Sequence, residues 1–147
     1  MRNIKSEFIA SLFILLFAYT AFQKFSHHQL FLITLQRSTL LNPIAGFISW
    51  FIPITEFGLV SLLLFPSLRK IGLLCSATLL SMFTVYISIM LLFVPKLPCS
   101  CGGIISYLSW KQHIIFNIVF ILVALYGWYI MTVNKNIAIR NSRIPVI

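Results

Sequence analysis

Ile71-Gly-Leu-Leu-Cys-Ser-Ala-Thr-Leu-Leu-Ser-Met-Phe-Thr-Val-Tyr-Ile-Ser-Ile-Met-Leu-Leu-Phe-Val94 runs from Lys70 toward Lys96 without a charged side chain. At about 1.5 Å of rise per residue, a run of this length crosses the roughly 30 Å hydrocarbon core of a bilayer as one helix. Working outward, charges bracket three more apolar runs: Glu7 to Lys24, Arg37 to Arg69 with Glu56 inside it, and Lys111 to Lys135. Each is long enough to span. The chain of 147 residues is 60% hydrophobic and 9% charged, with mean hydropathy +1.01, far from the mix of a water-soluble domain.

The expected fold is therefore all-α: an integral membrane four-helix bundle with spans at about 7–23, 43–65, 71–94 and 110–133. Residues 1–133 form a single domain, and 134–147 a basic cytoplasmic tail. The first run follows Arg2 and Lys5 as a signal peptide would, but it is long and lacks a small-residue cleavage site, so it reads as a retained helix. Asn42-Pro43 predicts an N-cap and first-turn proline for the second span. Pro53 should kink that span rather than end it, with a hydroxyl such as that of Thr55 taking up a freed carbonyl. Pro66 and Pro95 close the second and third spans, and the Ser109/Gln112 spacing suits a capping box that starts the fourth at Trp110. The segment from Lys24 to Asn42 is too polar to span and too apolar for a free loop. It reads as a helical segment lying along the outer interface.

The net charge of +9 raises nucleic acid as a partner, but the basic residues sit singly or in pairs at the ends of apolar runs, so the expected partner is the lipid bilayer and not nucleic acid. Counting Lys and Arg with the N-terminus inside places seven in the cytoplasm (Arg2, Lys5, Arg69, Lys70, Lys135, Arg140, Arg143) against four outside (Lys24, Arg37, Lys96, Lys111). The expectation is N-in and C-in, in the inner (cytoplasmic) membrane, with the loop between the third and fourth spans facing the periplasm or exterior.

That loop carries Pro98-Cys99-Ser100-Cys101-Gly102-Gly103. Alpha carbons two apart are at most about 7 Å from each other and a disulfide needs about 4.4–6.8 Å, so a Cys-x-Cys bridge requires a sharp turn. Pro98 has a fixed φ and Gly102 and Gly103 are free to adopt positive φ. A ring so small is strained, and strained exposed disulfides are the labile, oxidising ones. An oxidising exterior would let such a pair cycle. Lys96, Lys111 and the first turn of the fourth helix favour thiolate. His113 and Asn117 share a helix face, which makes His113 a candidate proton acceptor. Cys99 and Cys101 are the candidate redox pair of a membrane thiol-disulfide oxidoreductase. A bridge that only shapes the loop, or bound metal, are the alternatives.

Cys75 is too far along the third span to reach that pair and reads as a small buried hydrophobe. With no second cysteine pair, electrons leave either to a quinone in the bundle or to a soluble partner outside. Met82 and Met90 read as packing, with copper handling a lesser alternative; no metal site is assigned. Glu56 is the sole acidic residue within a span. Counting rise puts it in the inner half and Lys24 at the outer end, so no direct pair is expected. Tyr19, Gln23, Thr84 and Tyr86 are its candidate polar neighbours, and it serves either as a relay or quinone contact or as a protonated structural carboxyl.

Three stretches carry a resemblance from Phe13 to Gly127: Tyr19 to Phe25, Pro53 to Leu64, and Pro98 to Gly103 followed by Leu108 to His113 and Asn117. The chain resembles the MauE (methylamine utilisation) branch of the DoxX-like membrane proteins, and in general plan the four-helix bundles of the vitamin K epoxide reductase and DsbB type. The resemblance implies disulfide formation with a thioredoxin-like partner, for the small subunit of methylamine dehydrogenase or another client. Its motif positions here are Lys24, Glu56, Cys99, Cys101, Trp110, His113 and Asn117. A non-enzymatic membrane subunit or assembly factor, with a purely structural cysteine bridge, is the competing expectation.

Overall fold

The computed structural model describes residues 4–38, 40–93 and 110–142. Within them the chain forms α1 (Ile4–Ser26), α2 (His28–Arg37), a 3-10 turn at Asn42–Ile44, α3 (Ala45–Leu64), α4 (Arg69–Phe93) and α5 (Trp110–Ser142). Four stretches are long and apolar enough to cross a membrane: Ile4–Ser26, Asn42–Leu64, Arg69–Leu92 and Gln112–Val133. These are the four expected spans, and α2 is the expected extra helix between the first two.

Consecutive spans pack side by side. The most extensive contacts are α1 with α3 and α4 with α5, and α3–α4 and α1–α5 contacts close the ring. Successive spans run in opposite directions, an up-down-up-down bundle. One end gathers the start of α1, the α3–α4 turn and the far part of α5. There Arg69 Nη1 donates to Glu7 Oε1 at 2.6 Å and Arg69 Nε to the Leu63 carbonyl at 2.9 Å, satisfying one of the orphan acceptors that end α3. Lys70 Nζ lies 5.5 Å from the Trp128 ring at the same end. The core lies toward this end, where Phe13, Phe17, Leu59, Leu63, Leu73, Ala77, Leu80 and Ala124 interlock. Gly127 lets α5 approach closely, since a Cβ there would meet Ile9 Cγ2 and Leu73 Cδ1, both at 3.0 Å.

The helices outrun the apolar runs that announce them. Glu7 stays within α1 because Arg69 neutralises it, and α1 continues past Lys24 to Ser26. The chain then turns at His27 (φ −111°, ψ 38°) directly into α2. Asn42 opens the 3-10 turn instead of capping it, with Pro43 in its first positions and no side-chain cap. α3 passes through Pro53 without ending. The Thr55 hydroxyl donates to Phe51 O at 2.8 Å, not to the Ser49 carbonyl that Pro53 leaves free. Ser61, Ser76, Thr78, Ser81, Thr84, Ser88 and Thr132 return their hydroxyls to the carbonyl four residues back, which lets polar side chains sit in spans.

Cys75 corrects the expectation of burial, for it is exposed on α4. The inward stripe of that helix runs through Gly72, Leu73, Ser76, Ala77 and Leu80, and Cys75 falls on the outward side with Ile71, Leu74 and Thr78. α5 begins at Trp110 as expected and continues as helix to Ser142, well into the basic tail. Lys96, Cys99, Cys101, Gly102, Gly103 and Ser109 lie outside the described residues.

Candidate functional site

Above the interlocked core, at the opposite end of the bundle, the helices part around a cavity of about 500 Å³. Phe17, Leu80 and Phe116 floor it, and α2 roofs it through Phe31, Thr34 and Leu35. The walls are overwhelmingly apolar, yet Lys24, Glu56, His113 and Asn117 all face into it. Four of the side chains singled out in the sequence are thereby brought together from α1, α3 and α5.

At its centre Lys24 Nζ donates to Glu56 Oε1 at 2.6 Å. Glu56 is 3% exposed. The expectation that depth keeps the two apart is corrected by side-chain direction. Cα–Cβ bonds tilt toward a helix's N-terminus, so on antiparallel α1 and α3 Lys24 leans into the bundle and Glu56 leans toward the α2 end. The register leaves only that gap to close: Phe25 meets Trp50, ring centroids 6.1 Å apart, and His28 meets Ser49, which puts Glu56 about one turn deeper than Lys24. The ammonium also lies 5.9 Å from the centroids of both Phe31 and Phe83, whose ring faces favour a cation.

Two polar atoms in the cavity have no hydrogen-bond partner among the described residues: Glu56 Oε2 and Asn117 Nδ2. Asn117 is 2% exposed. An unmade hydrogen bond on a buried group costs about 1–3 kcal/mol, so these atoms mark the place where the cavity is chemically incomplete. Other expected neighbours of Glu56 make bonds elsewhere: Gln23 donates to the Tyr19 hydroxyl, Thr84 to Leu80 O and Tyr86 to Ser38 Oγ.

The roof is fastened at both ends. Ser49 spends its hydroxyl hydrogen on Gly46 O, which leaves its oxygen to accept from His28 Nε2 at 3.2 Å. At the other end Ser38, the residue that closes α2, accepts from Tyr86 and donates toward Met90 Sδ at 3.7 Å. Met90 is thus a buried packing residue, whereas Met82 is 67% exposed. Sequence reasoning did not single out Ser38, Phe31 or Phe83. Their signal is faint because a serine ending an amphipathic helix and two of fourteen phenylalanines look like many others. Trp110 and Lys111 form the first turn of α5, one turn before His113. Among the described residues no group of three His, Cys, Asp or Glu side chains is placed to hold a metal ion.

Comparison with known families finds a match to the model described as methylamine utilisation protein MauE, over residues 2–130. The matched stretch contains the first three spans, the fourth as far as residue 130, the cysteine pair and each cavity residue named above. Comparison with curated proteins and with solved structures found no match.

Proposed function

The chain belongs to the MauE family, and from that premise we propose that it is a multi-pass protein of the cytoplasmic membrane that exchanges disulfides through Cys99 and Cys101 on the outer face. The observation that carries this reading is the placement of helix ends. α4 stops at Phe93 and α5 starts at Trp110, both at the α2 end of the bundle, and the cysteine pair lies in the 16 residues, 94–109, that connect them. The first two turns of α5, bearing Lys111, His113 and Asn117, follow directly. A helix N-terminus and a nearby cation lower thiol pKa values, which supports exchange over inert stapling.

In the exchange, a thiolate of a thioredoxin-like or client protein attacks one sulfur of the Cys99–Cys101 disulfide. The S–S bond breaks, the other sulfur leaves as thiolate, and a mixed disulfide forms. The partner's second thiolate resolves that intermediate, so the partner ends oxidised and the pair reduced by two electrons. The reverse sequence, with an oxidised thioredoxin-like partner, resets it. His113 is the candidate base for the incoming thiol. The resemblance links such chemistry to maturation of a methylamine-oxidising enzyme, with any exported protein carrying paired cysteines as the broader client class.

The test is differential alkylation in intact cells on a Cys75→Ser background, because the exposed Cys75 thiol would otherwise label as well. A fraction of Cys99/Cys101 protected until reduction is expected, together with a mixed disulfide trapped by Cys101→Ser or Cys99→Ser. A pair found always reduced overturns the proposal. No trapped adduct alongside normal client maturation would make the protein a membrane assembly factor instead.

A further inference from the structure

The cavity has a side entrance. Phe47 and Phe51 of α3 and Met82 of α4 line it, yet they are 69%, 52% and 67% exposed on the flank of the bundle. At the level of the spans that flank faces hydrocarbon, whereas the end toward water is covered by α2. A solute dissolved in the bilayer thus has the direct route in. The volume, about 500 Å³, is that of a small-molecule site, since ligand pockets run from about 300 to 1,000 Å³.

The polar atoms narrow the occupant's chemistry. Lys24 and Glu56 cancel each other's charge, so an anionic head would have to break the pair and a cationic one would face the ammonium. A neutral head is favoured. Glu56 Oε2 asks for a donor, and the Asn117 amide for a partner to its Nδ2. A hydroxyl donates and accepts at once, and it serves the amide whichever way that group is turned. We propose that the cavity is a binding site for a neutral, hydroxyl-headed lipid with an apolar body, which enters between α3 and α4 and sets its hydroxyl between Glu56 and Asn117. This rests on the cavity alone and is independent of the thiol chemistry.

Two membrane sources share that head: a long-chain alcohol and an alkyl hydroquinone. The experiment uses the full chain in lipid nanodiscs with Cys99 and Cys101 replaced by serine, so that failure of exchange chemistry leaves the result untouched. A diazirine-bearing dodecanol is the photoprobe, competed by unlabelled dodecanol, decylhydroquinone or dodecanoate. Saturable labelling that maps to α3 and α4 is expected, with dodecanoate a weak competitor and the better of the two hydroxyl compounds identifying the source. Asn117→Leu, which replaces the amide by an apolar side chain of similar size, should weaken binding about tenfold, the measure of one lost hydrogen bond near 1.4 kcal/mol. Met82→Trp at the exposed entrance should reduce labelling without unfolding the bundle, as checked by circular dichroism. Labelling that does not saturate, that is unchanged in folded Asn117→Leu, or that dodecanoate displaces as well as dodecanol, overturns the proposal.

Discussion

A buried ion pair is asymmetric in its effects. Removing one partner strands a charge, which costs about 3–5 kcal/mol, whereas replacing both by apolar residues of similar volume is often neutral. Lys24→Met or Glu56→Leu alone should therefore lower the unfolding free energy in detergent by about that amount. The double variant should recover most of the loss, and its failure to recover in a thermal unfolding series would mean that the pair holds more than its own charges. At Gly127 the space is limited by Ile9 and Leu73, each 3.0 Å from an added Cβ. Gly127→Leu should overpack the α1/α4/α5 junction at a cost of about 1–3 kcal/mol, while Gly58→Leu, where nothing lies within 4 Å, should leave stability nearly unchanged. Equal effects at the two glycines would refute this account of the packing.

α2 illustrates what a helix of ten residues can do when its two ends are tied. Phe31 and Leu35 bury against Ala45, while Leu30 and Ile33 remain exposed, as expected of a helix lying at an interface. Ser38→Ala would remove the acceptor for Tyr86 and the donor to Met90, loosening the roof on the α4 side. Faster hydrogen exchange of α2 amides, with the spans unaffected, is the expected readout; uniform exchange throughout would show that the tie does not act locally. This element was legible in the sequence because its alternation of His, Gln and Arg with Leu, Phe and Ile fits neither span nor loop. The spans were legible for a simpler reason, the charges that bracket them. Which side of a span faces inward was not. In lipid both sides are apolar, so Cys75 offered no contrast from which its exposure could be read. The Lys24–Glu56 pair was hidden for another reason: counting rise locates alpha carbons, whereas a lysine stem and a glutamate reach toward each other across a turn of helix. The cavity itself depends on α2 and all four spans meeting, which no single segment encodes.

For the whole molecule, the pairing of Lys24 alters the charge balance that sets orientation. A cation held by a carboxylate of the bundle no longer anchors a loop, and this removes Arg69, paired with Glu7, as well as Lys24, so on the proposed topology the Lys and Arg count becomes six against three, with Arg37, Lys96 and Lys111 outside. Reporter fusions at either terminus should both read cytoplasmic, in keeping with the shared end at which Glu7 meets Arg69 and Lys70 meets Trp128. An N-terminal reporter found outside would reverse the proposed placement of the cysteine pair. The same pair bears on how the protein is made. Lys24 leaves the ribosome 32 residues ahead of Glu56, so during synthesis its ammonium has no counter-charge in the membrane. Because Lys24 stands in the last turn of α1, its stem can carry the unpaired ammonium to the interface until Glu56 arrives and draws it inward. The lysine of a nascent chain halted before its glutamate should therefore react with a water-soluble amine reagent, whereas in the finished chain it should be protected.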